Sequence, residues 1–500
     1  MKELMYLAPE GFLLLTIMGV IIGELGYRGE RIRTTGLSVI LGLLAALVQV
    51  VLLGKYGASS AFSGTFRLDG VAIAFKSISI VLAIYVIGTL QFSREISPRR
   101  RGEFLVFALT ATTGLSILAS SNDLFLIYVA LQLVSMSTAM IAGFGTGSVL
   151  SAEAAIKYQV LGAVTGFFFL FGTALAFGAT GATQLDLIHE AFRSGGVSPL
   201  LVSVVWILLF IGLSFHLAVF PFHTWFADAL DGAPAPASGF LAVSTRLAGA
   251  LAFVRIVTEI FGEQGTAIGV QWRILESFDW TKPLAGFVAL TLLSGPFLAI
   301  SQGRARRLVG ALAISEAGFL LLGVLVLDLN ALAATFFSLI IGLFALLGSF
   351  FVIQLLCDDA GHDDLRRLKD EFQARVFESL MLIFFLCALI GIPPMPGFFA
   401  KFSLIGAAID RGRYFLAACG IIAITVNSLA ITRLFFNLMG HFAADGSTPA
   451  SGVVAIKSRR NGFGVRLFLF ALLMPLVLAG LFSDPLFRIL RVATNSLFGG

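Results

Sequence analysis

Apolar residues do not alternate with polar ones along this chain; they run together in long stretches separated by short polar intervals. A helix needs roughly 20 residues to cross a hydrocarbon core of about 30 Å. Stretches of that size fall at about 8–26, 35–54, 71–92, 104–121, 124–145, 158–179, 199–220, 235–260, 283–301, 307–327, 330–357, 376–395, 413–439 and 465–486. Membrane-barrel strands would show a two-residue alternation, so the continuous runs point to helices. The pattern predicts an all-α integral membrane protein with about 14 transmembrane helices. The longest polar intervals, around 358–375 and 440–464, hold no apolar run able to build a separate soluble unit, so residues 1–500 are read as one membrane domain.

Composition agrees with that reading. With 58% hydrophobic and 13% charged residues and a mean hydropathy of +0.96, the chain has too little polar surface to cover a water-soluble globule. The net charge of +5 is explained by where the cations fall when the chain is threaded through its spans. One side collects Arg28, Arg31 and Arg33; Arg94, Arg99, Arg100 and Arg101; Arg304, Arg306 and Arg307; Arg366, Arg367, Lys369 and Arg375; and Lys457, Arg459, Arg460 and Arg466. The positive-inside rule makes that side cytoplasmic and puts both termini outside; a chain this basic inside and with no targeting segment evident suits a bacterial cell inner membrane, with the termini periplasmic. No nucleic-acid partner is needed to account for the basicity. The first helix begins at about residue 8 with Pro9-Glu10 ahead of its apolar run, lacks a small-residue cleavage site, and is read as retained.

Several chemistries are not expected. Cys357, Cys387 and Cys419 stand alone without Cys-x-x-Cys or Cys/His spacing, and the chain has neither a P-loop nor a dinucleotide-binding glycine motif. The chain itself is expected to bind no metal, nucleotide or redox cofactor.

Polar residues at mid-membrane depth are costly unless paired, hydrated or functional. They are Lys76, Gln132, His216, Arg246, Glu316 and Lys401, with Glu153 and Lys157 near the start of the sixth helix. Lys76 could snorkel or pair structurally, and Glu316 could meet an arginine or supply a carboxylate to proton transfer. Glu153 and Asp228 fall near the inner boundary, where solvated or structural roles come first, and His223 could connect to inside water.

Two helices are predicted to be broken. Pro221, in the run His216 to His223, would free the carbonyl of Leu217; Pro393 and Pro394, followed by Pro396 and Gly397, would free those of Leu389 and Ile390. Such backbone is tolerated at membrane depth only beside protein or water. Two broken helices, each beside a membrane cation, suggest two inverted five-helix repeats, helices 4–8 (104–260) and 9–13 (283–439). Residues 1–103 precede them with helices 1–3, and residues 465–500 follow with helix 14 and a tail.

These motifs resemble a known family. PFHTWFADALDGAPAPASGFLAVSTRLAG at 221–249, EAAIKYQVLGA at 153–163 and GIPPMPGFFAKF at 391–402 resemble, in order and spacing, the signatures of subunit N of NADH:quinone oxidoreductase, the respiratory complex I subunit related to Mrp-type antiporters. The resemblance covers essentially the whole chain. It implies a subunit that translocates protons while partner subunits, carrying FMN, iron–sulfur clusters and quinone, oxidise NADH. Its partners would be the other membrane and peripheral subunits of the complex and the lipid bilayer.

Carried over by position, Lys401 matches the family's lysine on the broken twelfth helix and Lys157 the lysine that opens the sixth. Arg246 stands where the eighth usually has lysine, His216 where the seventh has its central lysine, and Gln132 where the fifth has glutamate. Gln132 cannot ionise, Arg246 essentially never deprotonates, and His216 titrates more easily than lysine near neutral pH. The first half-channel is therefore expected to be altered. An Mrp-type cation/proton antiporter and a membrane subunit of a related hydrogenase or formate-linked complex are the rival readings.

Overall fold

The computed structural model describes residues 3–26, 32–57, 59–145, 148–264, 272–274, 278–360, 363–365, 375–439 and 462–495. Of the cations used above to orient the chain, Arg28, Arg31, Arg366, Arg367, Lys369, Lys457, Arg459 and Arg460 lie outside the described residues.

The chain is an all-α integral membrane protein. Three helices open it: α1 (Ala8–Gly26), α2 (Ile32–Leu53) and α3 (Gly70–Phe92). Next come α4 (Arg101–Ser120), α5 (Leu124–Ala142), α6 (Val149–Thr180), the short α7 (Leu185–Arg193), then α8 (Pro199–Leu217), the short α9 (Thr224–Gly232) and α10 (Ala235–Glu259). A second series holds α11 (Thr281–Ser301), α12 (Ala305–Leu325), α13 (Leu329–Ala360), α14 (Val376–Ile390), α15 (Pro396–Asp410) and α16 (Tyr414–Met439). Finally α17 (Phe463–Leu481) leads into α18 (Ser483–Asn495).

Among the described residues twelve helices are long and apolar enough to span a membrane, and the shorter apolar segments Ser38–Leu53 and Val376–Ile390 bring the set to the expected fourteen. Both series run three unbroken spans, one split span and one unbroken span.

Burial grades from the centre outward. The apolar stretches of α10 and α12 are wholly enclosed by protein, whereas those of α1, α6 and α17 leave much of their surface to lipid or to partners. Phe167, Phe171, Phe177 and Phe470 are among the large apolar side chains turned outward. No hydrophobic drive holds helices together in lipid, so close backbone approach and interhelical polar contacts matter more. Asn427 of α16 supplies one such contact, its side-chain amide donating to Ser315 Oγ of α12 at 2.8 Å. Arg255 of α10 supplies another, donating to both carboxylate oxygens of Asp69 at 3.1 Å and to the carbonyl of Ala119.

Several boundaries differ from the hydropathy reading. Helix α6 starts at Val149 instead of 158, because Ser148 caps it by accepting the Ser151 N–H. The split spans stop earlier than the apolar runs do, at Leu217 and Ile390. Apolar content continues past both points, but backbone pairing does not. Hydropathy also misses α7 and α18, amphipathic helices with one apolar face. Two small antiparallel hairpins, β1 (Ser59–Ala61) with β2 (Phe66–Leu68) and β3 (Gly262–Gln264) with β4 (Trp272–Ile274), decorate the loops.

Candidate functional site

The second split span is built around Lys401. Helix α14 ends where Gly391 adopts the left-handed conformation (φ +80°), and α15 starts at Pro396. Glycine is needed at Gly397 as well, since a Cβ there would sit 2.1 Å from the Ala388 carbonyl oxygen. The last carbonyls of α14 have no helical N–H to receive, and they form the negative end of its dipole. Lys401, in α15 and 1% exposed on its side chain, fills that position: its ammonium donates to the carbonyls of Leu389 and Ile390, each at 2.6 Å. Its remaining donor goes to Glu316 Oε1 at 2.5 Å. All three ammonium hydrogens thus have acceptors, the condition under which a buried lysine can stay charged.

Glu316 sits midway along α12 and also faces Arg246 of α10; the two line a small cavity with Thr335, Ser338 and Leu339. Arg246 donates Nη2–H to the Ala313 carbonyl, while its Nε and Nη1 have no partner among the described residues. Its guanidinium carbon lies 5.8 Å from the centre of the Phe226 ring. The structure therefore brings Arg246, Glu316 and Lys401 together as one carboxylate between two cations.

Among the described residues the first split span shows no ion pair of this kind. His216 lies in the last turn of α8, which stops at Leu217 because Ala218 takes the left-handed conformation (φ 54°). A Cβ at Gly249 would come within 2.9 Å of His216 Cβ, so α10 passes directly against the break. The buried His216 ring packs edge-on against Phe215, and neither ring nitrogen has a hydrogen-bond partner among the described residues. Gln132, half-buried on α5, presses on α6, where a Cβ at Gly166 would meet its Nε2 at 2.4 Å. His223 stacks on Phe220 beyond the break, and its Nδ1 has no partner among the described residues.

Lys157 is set apart from these groups. Its side chain is 41% exposed and pairs with Glu153 at 2.7 Å and Asp228 at 3.0 Å near the end of the bundle. Asp228 in turn accepts from Arg307 at 2.7 Å.

Sequence reasoning missed three partners. Lys76 is completely buried and paired with Glu10, which also accepts from Ser116 Oγ at 2.5 Å. Glu10 therefore belongs to the first turn of α1, inside the bundle, where a carboxylate opening an apolar helix was the available signal. Asp231 and Asp363, held by Arg304 at 2.6 and 2.8 Å, are the other two. They belong to loops and to the short α9, where hydropathy carries no information about contacts.

The family described as "NADH:quinone oxidoreductase/Mrp antiporter, TM" matches residues 121–427, which include both split spans. The NADH-quinone oxidoreductase subunit N of Moorella thermoacetica is 30% identical over 94% of this chain and 93% of its own. A protein of Rhizobium meliloti named NADH-quinone oxidoreductase subunit N 2 is 33% identical over 83% of this chain and 84% of its own. Among solved structures, a chain of respiratory complex I from Thermus thermophilus superposes with a TM-score of 0.76 at 24% identity, covering 97% of this chain and 99% of that one.

Proposed function

The chain belongs to the NADH:quinone oxidoreductase/Mrp antiporter family of membrane subunits, and on that premise we propose that it translocates protons as the antiporter-like subunit N of a bacterial complex I. In this reading it lies in the cell inner membrane with both termini outside. Partner subunits carry NADH oxidation, FMN, iron–sulfur clusters and quinone; this chain supplies charged and titratable groups across the membrane and no redox centre.

The observation that carries the proposal is the buried Lys401–Glu316 pair at the α14/α15 break. A lysine beside a carboxylate changes its hold on a proton when the opposite charge moves, because each charge stabilises the other's ionised form. Arg246 competes for the same carboxylate. As Glu316 turns toward Arg246, Lys401 loses its counter-ion and is primed to release a proton; as Glu316 returns, Lys401 is primed to bind one. Arg246 stays charged throughout and works as a fixed cation, which a relay lysine at that position would not.

The first half-channel is altered in the same reading. Gln132 gives no carboxylate to the His216 neighbourhood, so His216 relays protons without an electrostatic switch of its own, and His223 joins it to the face bearing Asp228. Lys157 serves at the boundary of the pathway. On this reading the carboxylate–lysine couple that the resemblance places in the first repeat is supplied in the second by Glu316 and Lys401.

The test is to purify the tagged chain in mild detergent and identify its companions by mass spectrometry. Flavin and iron–sulfur subunits in the preparation support this reading. Recovery with membrane antiporter subunits only would move the assignment to Mrp-type exchange, and hydrogenase metals would move it to a hydrogenase-linked complex.

A further inference from the structure

A cavity of about 550 Å³ opens on the face where α12 begins and α13 ends, away from the Lys401 pair. Asp231 (7% exposed) and Asp363 (8% exposed) line it. Arg304 joins them, giving Nη1–H to Asp231 Oδ2 and Nε–H to Asp363 Oδ1. The other oxygen of each, Asp231 Oδ1 and Asp363 Oδ2, is buried with no donor among the described residues. The two carboxyl groups are nonetheless within hydrogen-bonding reach of each other. Two carboxylate oxygens both accept and neither donates, so such an approach is repulsive unless a proton lies between them.

We propose that Asp231 and Asp363 form a proton-sharing carboxyl pair at the edge of this cavity, a loading site that takes protons from water on that face and delivers them to the pathway. The inference rests on the proton-translocating reading above and adds an entry point to it. Only a proton is bound, between the two carboxyl groups, and it returns to water or passes onward without any other bond changing.

The surroundings favour a proton over a metal ion or an anion. Arg307 reaches Asp231 at 3.1 Å from α12, Arg306 of the same helix pairs with Glu95, and Arg94 lies beside them. Those guanidinium groups repel an added metal cation. Glu95 and Asp358, next to Cys357 at the end of α13, keep the basin from welcoming an anion. Burial, reinforced by Asp363 and opposed by Arg304 and Arg307, pushes Asp231 up to about 6. Asp363 is raised by its burial, but hydrogen bonds from Asp231 and Arg304 outweigh this and hold it below the usual carboxylate range. One member keeps the proton while the other stays ionised.

Asp231 shares α9 with Asp228, and Arg307, a fixed cation, holds both carboxylates. Asp228 then meets Lys157, and α9 begins beside His223.

Infrared difference spectra of the intact purified complex, titrated across pH without turnover, test the pair directly. A protonated-carboxyl band should disappear as pH rises through about 6. Asp231→Asn should remove its share of the band, leaving the share of Asp358, which burial also pushes up to about 6; Asp363→Asn should move the Asp231 share's midpoint down by roughly one pH unit as the neighbouring charge is lost. Assembly on a native gel establishes that each variant is folded; one that fails to assemble is replaced by Asp363→Ser or Asp231→Ser for the same titration. A band indifferent to Asp231→Asn, an unchanged midpoint in Asp363→Asn, or a midpoint that moves with sodium concentration would each overturn the proposal. Because the spectra need no pumping, they can fail while Lys401-dependent translocation stands, and the reverse.

Discussion

Lys401 and Glu316, 85 positions apart in the chain, meet 2.5 Å apart inside the bundle, and the lysine's other two donors satisfy the carbonyls of Leu389 and Ile390. Side chain and broken backbone therefore form one unit, and the first prediction concerns its cation. Lys401→Ala leaves Glu316 buried opposite a fixed arginine and leaves two carbonyls bare. Losing one member of a buried pair costs about 3–5 kcal/mol. Proton yield per electron, measured by dye quenching in reconstituted vesicles, should fall while electron transfer by the partner subunits continues. A yield equal to the parent's would reduce Lys401 to scaffolding.

Glu316→Gln removes the moving charge but keeps a hydrogen-bond acceptor. Pumping should slow by roughly tenfold or more, the equivalent of about 1.4 kcal/mol on the barrier. Arg246→Lys is the companion measurement: a titratable cation there gives Glu316 a second proton-holding partner, and the pH profile of pumping should change shape. Identical profiles in both variants would sink the three-residue switch.

Replacing His216 by lysine together with Gln132→Glu rebuilds the charges that the resemblance expects in the first repeat. Free lysine titrates near 10.4 and histidine near 6.5, so the alkaline limit of pumping should move upward if this position relays protons. An unchanged pH profile and proton yield would remove His216 from the pathway.

The Lys76–Glu10 pair is predicted to be structural. Glu10→Gln should weaken the packing of α1 against α3 and α4, seen as a lower thermal midpoint of the isolated complex, on the scale of about 3–5 kcal/mol for a stranded buried charge. The proton-to-electron ratio of the complex that survives should equal the parent's. A lowered ratio would instead bring Lys76 into the translocation machinery.

Asp231 gives a pH dependence with a definite sign. Its folded-state pKa, about 6, lies above the ordinary aspartate value. Its contribution to stability is therefore complete below the unfolded value near 3.9 and is lost as pH rises through about 6. Asp363, held low, acts in the opposite sense: its contribution is present above the unfolded value and lost as pH falls through its folded one. Thermal denaturation between these limits should show Asp231→Asn flattening the decline seen in the parent as pH rises toward 6. A parent and variant with parallel curves would contradict the assignment.

Much of this architecture is readable from local sequence because its causes are local. Spans follow from uninterrupted apolar runs, and the interruptions follow from Pro221, Pro393 and Pro394, which cannot donate backbone hydrogen bonds. The carbonyls that Lys401 holds could be named from the proline positions alone. The identities of charge partners could not, because a buried lysine demands an acceptor without saying from where. Glu10 comes from 66 residues away and Asp69, the partner of Arg255, from 186. Glu316 was visible as a costly membrane carboxylate, yet its choice of Lys401 over an arginine depended on how α12 packs against α15. Helices α7, α9 and α18 escaped because a one-sided apolar face in a short segment has low average hydropathy.

The α14/α15 break also has a consequence for inheritance. Pro393 and Pro394 rule out helical continuation that would satisfy Leu389 and Ile390, and Lys401 supplies the donors instead. A mutation at any one of these three positions is therefore worth something different depending on the other two: losing the lysine strands the carbonyls, and losing a proline without the lysine could let the helix grow and recover them. The three codons should behave as an epistatic set, tolerating exchange together more readily than one at a time.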